Sequence, residues 1–169
     1  MTHTTMTSLQ ELEKLTIQWF KDRQIIPNST QQAQCVKLYE EFTEILDAYN
    51  KHNRDLMLDA IGDVTVVLIG LNKIRNNRNI FCNKTVEALE LITNSTMPRA
   101  LIHLSSSIQE EFAKSIQGYS PTYKSIISEL QSLALHYNSS LRECLELAYT
   151  VISKRTGYLS KEGIFIKNS

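Results

Sequence analysis

Two consecutive stretches decide the fold: QQAQCVKLYEEFTEILDAYN at residues 31–50 and DLMLDAIGDVTVVLIGLNKIR at residues 55–75. In the first stretch, apolar residues recur at steps of three and four, at Cys35, Leu38, Phe42, Ile45 and Tyr49. In the second they recur in the same way, at Ile61, Val64, Leu68 and Leu71. This spacing is typical of amphipathic helices, and only a short polar turn, HNR at 52–54, separates the two. The two stretches therefore predict a pair of long helices joined as an antiparallel hairpin.

Helical periodicity continues along most of the remaining chain. Further helical segments are predicted at residues 8–23, 84–93, 98–116, 121–137 and 141–155. Ser140 with Glu143 has the spacing of a capping box, and Pro121 suits the first position of a helix. Neither GxGxxG nor GxxxxGK[ST] occurs, which argues against a Rossmann or P-loop nucleotide site. The fold class is therefore predicted as all-α, an antiparallel helical bundle of about five to six helices with a short irregular C-terminal tail.

Length and charge limit the class of protein. The 169 residues suit one domain, predicted to span 1–169, and 18 basic residues balance 18 acidic ones. A zero net charge argues against a nucleic-acid partner. No apolar run has the length of a membrane span, and MTHTTMTSLQ at the start lacks the features of a signal peptide, so no membrane partner is expected. The wide spacing of the three cysteines predicts reduced thiols and a cytoplasmic protein, in the host cytoplasm if a phage encodes it.

Carboxylates stand out on both long helices. Glu41 and Glu44 lie one turn apart on a line beside the apolar stripe, with Lys37 one turn before Glu41. Asp63 has apolar residues on both sides, and Asp59 lies one turn before it. If the helices form a hairpin, these carboxylates face each other and provide the oxygen ligands that Mg²⁺ or Mn²⁺ prefers.

Less specific interpretations exist for the same residues. Glu41 and Glu44 could belong to a solvated helix face with a Lys37–Glu41 ion pair. Asp63 could instead make an inter-helix hydrogen bond or pair with a buried basic residue. Gly62, next to Asp63 in mid-helix, costs about 1 kcal/mol relative to Ala and would allow another helix to approach closely.

At these residues the sequence resembles the MazG-like family of all-α nucleoside triphosphate pyrophosphohydrolases, and in particular its short phage members. The family motif is ExxE on one helix and ExxD on the next; here EFTE at 41–44 is followed by DAIGD at 59–63. The closing segment CLELAYTVISKRTGYLSKEGIFIK at 144–167 is also similar to the end of family members. The resemblance covers a core at 8–75 and 138–169, with a helical insertion at about 76–137. The chain departs from the motif at position 60, where Ala60 replaces the family's Glu and Asp59 is the natural substitute.

The resemblance implies hydrolysis of a (deoxy)nucleoside triphosphate to the monophosphate and pyrophosphate with Mg²⁺, or Mn²⁺, as cofactor. The metal ligands would be Glu41, Glu44, Asp59 and Asp63. Either Glu41 or Glu44, or the metal itself, would activate the attacking water.

Basic and amide groups are candidates for holding the substrate. The candidate phosphate ligands are Lys37, Lys154 and Arg155, although basic residues are also common at helix C-termini for electrostatic reasons. Gln34 is a candidate for a hydrogen bond to base or sugar. Trp19 could stack on a base, but the stripe that it shares with Leu12 and Leu15 favours a place in the core.

The resemblance also implies a homodimer, with a tetramer as the second expectation. Two other functions remain open from sequence. One is an inactive bundle that acts as a protein-interaction or regulatory module, which the replacement of Glu by Ala60 favours. The other is an enzyme similar to phosphoribosyl-ATP pyrophosphohydrolase.

Overall fold

The computed structural model describes residues 7–93, 95–118 and 123–168, and most of them are helical. The elements are α1 (Leu9–Asp22), α2 (Ile25–Asn28), α3 (Gln31–Asn50), α4 (Arg54–Asn76), α5 (Asn83–Glu90), α6 (Met97–Ile116), α7 (Lys124–His136), α8 (Leu141–Ile152), β1 (Gly157–Leu159) and β2 (Phe165–Lys167). The all-α prediction is confirmed. The predicted count of five to six helices is wrong, because the described residues contain eight. One of the additional helices is α2, a single turn in the connection between α1 and α3.

Helices α1, α3, α4 and α6 begin and end within one or two residues of the expected positions, whereas α5 and α8 each end three residues earlier than expected. Thr30 caps α3 by accepting a hydrogen bond from the backbone N–H of Ala33 at 3.1 Å. The capping box of α8 is complete, with Ser140 and Glu143 each bonding to the other's backbone N–H. The expectation for Pro121 lies outside the described residues, and α7 is described from Lys124.

Helix α4 is the central element of the fold. It packs against α1, α3, α7 and α8. The turn between α3 and α4 is short, so these two helices run antiparallel, as predicted. From Val64 to Leu71 every residue of α4 is buried whichever side it faces, including Val66 and Val67 as well as Val64 and Leu68. A helix that is apolar around its circumference is expected in the interior of a protein, and the apolar run from Val64 to Leu71 explains this position.

Two glycines allow neighbouring helices to approach α4. A Cβ at Gly62 would collide with the backbone carbonyl of Cys144 and lie 2.8 Å from Cβ of Ala148, both on α8. A Cβ at Gly70 would lie 2.5 Å from the ring of Phe20 on α1. The predicted close approach at Gly62 is confirmed, and the helix that approaches is α8.

The C-terminal segment is more regular than predicted. Strands β1 and β2 form an antiparallel pair with Tyr158 opposite Ile166, so the expectation of an irregular tail is wrong. Gly163, with φ of +79°, forms the turn between them. The ring of Phe165 packs edge-on against Trp19, with 5.5 Å between ring centroids. This contact attaches the hairpin to α1 beside the hairpin of α3 and α4.

Among the described residues, no helix combines the length and the apolar character that crossing a bilayer requires.

Candidate functional site

Three carboxylates from the two long helices meet at one point. Oxygen atoms of Glu41 and Glu44 on α3 and Asp63 on α4 all lie within 4.8 Å of one another. Glu41 is buried, Asp63 is partly buried and Glu44 is exposed, so the group lies at the inner edge of an opening to solvent. The sequence predicted that these side chains would face each other, and the structure brings all three together.

The carboxylates influence one another's protonation. Burial raises the pKa of Asp63 from its ordinary value of 3.8 to about 6, and the charge of Glu41 adds to this rise. Arg155 opposes the rise by favouring the ionised form of Asp63. Partial burial also raises the pKa of Glu44, again with a contribution from Glu41. Negative charge is therefore concentrated at this point to a degree that favours either a proton or a cation.

Lys37 is placed beside the carboxylates. Its ammonium lies 3.0 Å from Oε1 of Glu41 and 2.8 Å from Oε2 of Glu40. Desolvation lowers the pKa of Lys37, but the hydrogen bonds to Glu40 and Glu41 outweigh it, and the net pKa is raised. Lys37 therefore remains charged at the edge of the cluster, and the Lys37–Glu41 pair expected for a solvated helix face exists alongside the carboxylate group.

Two predicted site residues lie outside this group. Asp59 is exposed and is not one of the three clustered carboxylates, although its charge contributes to the raised pKa of Asp63 and of Glu44. Lys154 is exposed and does not line the adjoining cleft, whereas its neighbour Arg155 does. Of these two neighbouring basic side chains, Lys154 therefore lies in solvent and Arg155 lies in the cleft.

A cleft extends from the carboxylates into the protein. Its polar side is formed by Gln34, Lys37, Glu41, Asp63, Arg155 and Lys167. Its apolar side is formed by Trp19, Phe20, Ile25, Val66, Val67, Ile152 and Phe165. Small-molecule sites commonly combine an apolar wall with a few polar groups in this way.

Arg155 is held by contacts with the first helix. Its backbone carbonyl accepts hydrogen bonds from Nε and Nη2 of Arg23, at 3.1 Å and 2.6 Å. The guanidinium of Arg23 in turn lies 5.2 Å from the centre of the Trp19 ring. Because Arg23 holds the backbone of Arg155, three residues after α8, the Arg155 side chain enters the cleft from a defined position.

Trp19 belongs to the core, as its stripe predicted, and also lines the cleft. It is 8% exposed. Its buried indole N–H has no hydrogen-bond partner among the described residues. Phe165 and Lys167, from β2, also line the cleft. Neither was assigned to the site from sequence, because no local pattern connects a C-terminal strand with α1.

Comparison with known proteins gives a limited match. A protein of Haemophilus phage HP1, described as an uncharacterized 18.2 kDa protein in the rep-hol intergenic region, is 43% identical over 68 residues. The match covers 40% of this chain and 42% of the phage protein, so the chain spans less than half the length of that relative. No family model and no solved structure matches the chain. The sequence is therefore similar, over part of its length, to a phage protein.

Proposed function

We propose that this protein is a metal-dependent nucleoside triphosphate pyrophosphohydrolase of the MazG-like type. The observation that carries the proposal is the convergence of Glu41, Glu44 and Asp63 within 4.8 Å at the mouth of a cleft with an aromatic wall. A cation site beside a slot of this kind suits a ligand with a polyphosphate at one end and a flat base at the other.

The donor set fits a hard divalent cation. All three clustered ligands are carboxylates, and no described His or Cys joins them. Such oxygen-only sites select Mg²⁺ or Mn²⁺ over zinc. Glu41, Glu44 and Asp63 would hold the ion, with Asp59 at the exposed edge as a candidate for a further contact. When bound, the ion would supply neutralisation of the charge that develops on the phosphate oxygens.

The other polar groups of the cleft have distinct roles in the proposal. Lys37, Arg155 and Lys167 contribute positive charge for the phosphate oxygens, because they line the same cleft as the carboxylates. Glu44 is the candidate base for the attacking water, because it is the exposed member of the three clustered carboxylates. Glu41, which is buried and paired with Lys37, is suited to holding the cation.

The proposal includes self-association, with a homodimer first and a tetramer second. Helix α3 carries apolar side chains that are exposed in the isolated chain: Val36 at 61%, Tyr39 at 37% and Leu46 at 37%. A second copy could cover this face. Sedimentation velocity of the protein gives the oligomeric state directly, and a monomer at micromolar concentration would contradict this part of the proposal.

The test of function is an assay on a panel of ribo- and deoxyribonucleoside triphosphates with Mg²⁺ or Mn²⁺, followed by separation of the products. We expect monophosphate and pyrophosphate from at least one nucleotide and no turnover after chelation of the metal. Absence of turnover on every triphosphate, together with no change in melting temperature on adding metal, would instead favour an interaction module. Turnover restricted to phosphoribosyl-ATP would favour an enzyme similar to phosphoribosyl-ATP pyrophosphohydrolase.

A further inference from the structure

Gln34 is a buried amide in the wall of the cleft, and a hydrogen-bond chain fixes its orientation. The residue is 5% exposed. Its Nε2 lies 2.9 Å from Oγ of Ser29, and that oxygen lies 2.6 Å from the backbone carbonyl of Gly163. A carbonyl oxygen can only accept, so the Ser29 hydroxyl must donate its single proton to Gly163. The hydroxyl is then an acceptor for Gln34, and the amide nitrogen of Gln34 is the atom that faces Ser29.

This chain fixes which way the Gln34 amide faces. With one Nε2 proton donated to Ser29, the carbonyl oxygen Oε1 is turned away from Ser29 and can accept a hydrogen bond from a ligand. Amide groups can usually be turned over without cost, but turning this one would place two acceptors face to face at 2.9 Å. Gln34 therefore offers the cleft an acceptor at Oε1, beside the second proton of Nε2.

The position of Gln34 along α3 suits the end of the ligand that lies away from the metal. Gln34 precedes Glu41 by two helical turns, a rise of about 10 Å along the axis. Lys37 lies between them, and the aromatic side chains Trp19 and Phe165 line the same cleft. A nucleotide with its phosphates at the carboxylates could place its base against these rings and near Gln34.

We propose that Gln34 reads the base through Oε1, accepting a hydrogen bond from an N–H group on the base, and that Ser29 and Gly163 are the positioning residues that keep this oxygen turned to the cleft. The inference rests on the proposed function for the identity of the ligand as a nucleotide. It adds the polarity of the contact: a ligand group that bonds to Oε1 of Gln34 must be a donor.

The turn between β1 and β2 packs closely enough on the start of α3 to fix the bond from Ser29 to Gly163. A Cβ on Gly163 would lie 3.0 Å from Cα of Ser29 and 3.3 Å from the backbone N of Thr30, so the turn packs directly against the start of α3. The φ of +79° at Gly163 is also one that other residues rarely adopt. The C-terminal hairpin thus contributes Phe165 and Lys167 to the cleft and also the carbonyl that orients Gln34.

Binding of nucleoside monophosphates tests the inference without requiring turnover. Trp19 is the single tryptophan of the chain and lines the cleft, so its fluorescence reports on this site. Each monophosphate is compared with an analogue in which the N–H donor is removed: hydrogen in place of the amino group of adenine, guanine or cytosine, and an N3-methyl group in uracil or thymine. We expect the dissociation constant of the preferred base to rise about tenfold or more for its analogue, because a buried acceptor is left unpaired.

The variant Gln34→Met keeps the volume of the side chain and removes its polar atoms. It should bind the natural base about tenfold more weakly and bind base and analogue equally, whereas Gln32→Met, at an exposed position of the same helix, should match the unmodified protein. Ser29→Ala should weaken the discrimination, since the amide is then free to turn over.

Three results would overturn the inference: equal binding of base and analogue by the unmodified protein, discrimination that survives in Gln34→Met, or no nucleotide binding at all. Failure of hydrolysis with this discrimination intact would overturn the proposed function alone.

Discussion

Asp63 combines burial, like charges and one opposing positive charge. Its pKa of about 6 in the folded protein lies above the ordinary value of 3.8, so the folded state binds the proton more tightly than the unfolded chain does. Its contribution to stability is therefore most favourable below pH 4 and is lost as the pH rises through about 6. At neutral pH the ionised carboxylate lowers the free energy of unfolding by up to about 3 kcal/mol, which a bound cation would offset.

Asp63→Asn should stabilise the metal-free protein. Above pH 7 we expect a gain of about 1–3 kcal/mol in the free energy of unfolding, because the neutral amide avoids the cost of the ionised carboxylate. The gain should vanish near pH 4, where Asp63 is protonated. Mg²⁺ should raise the melting temperature of the unmodified protein and have little effect on the variant. Denaturant titrations across this pH range test the prediction, with Asp47→Asn as a control at an exposed, salt-bridged position. A destabilised variant at pH 8 would contradict it.

Arg155→Ala and Lys154→Ala form a matched pair on adjacent residues. Arg155 lines the cleft and keeps the pKa of Asp63 lower than it would otherwise be, whereas Lys154 is exposed. Loss of Arg155 should raise KM for the nucleotide about tenfold or more. It should also move the acidic limb of the pH–rate profile to higher pH, because the pKa of Asp63 rises when Arg155 no longer lowers it. Lys154→Ala should leave both unchanged, and equal effects of the two substitutions would contradict the assignment.

Individual helices are predicted well from the sequence where apolar residues recur at regular steps of three and four. The stripes Cys35–Phe42 and Ile61–Leu71 place α3 and α4 correctly, and their short turn predicts the hairpin that brings Glu41 and Asp63 together. The pairing of two C-terminal strands was not predicted, because strands of three residues each are too short for a clear alternation. Their position depends on a distant contact, that of Phe165 with Trp19.

Gly62→Ala tests the crossing of α4 and α8. The added methyl group would collide with the backbone of Cys144, which cannot move without shifting α8. We expect a loss of about 1–3 kcal/mol in the free energy of unfolding, despite the better helix propensity of Ala. The melting temperature should fall by several degrees. Ser106→Ala, at an exposed position of α6, is the control and should have little effect; an equally stable Gly62→Ala protein would show that the two helices do not cross so closely.

At the scale of the whole molecule, the balance of 18 basic and 18 acidic residues hides a local separation of charge. Carboxylates from α3 and α4 meet on one side of the cleft. Lys37 also comes to the cleft from α3, and Arg155 and Lys167 come to it from the C-terminal segment. A site of this kind can attract a cation and a polyanion together without a net charge on the protein.

The carboxylate half of the site could be predicted from sequence because its members lie within two adjacent helices of regular period. The remaining half could not. Phe165 reaches Trp19, and Gly163 orients Gln34 through Ser29, across more than a hundred residues of chain. No local pattern encodes such contacts, since they depend on how α1, α3 and α8 pack around α4.

Hydrolysis at the carboxylate cluster can be tested by ³¹P NMR of the preferred triphosphate incubated with Mg²⁺, with the unmodified protein and Asp63→Asn run side by side. We expect equal amounts of monophosphate and pyrophosphate from the unmodified protein, no diphosphate intermediate, and at least a hundredfold slower turnover by the variant. Release of diphosphate and orthophosphate, or undiminished turnover by Asp63→Asn, would contradict it.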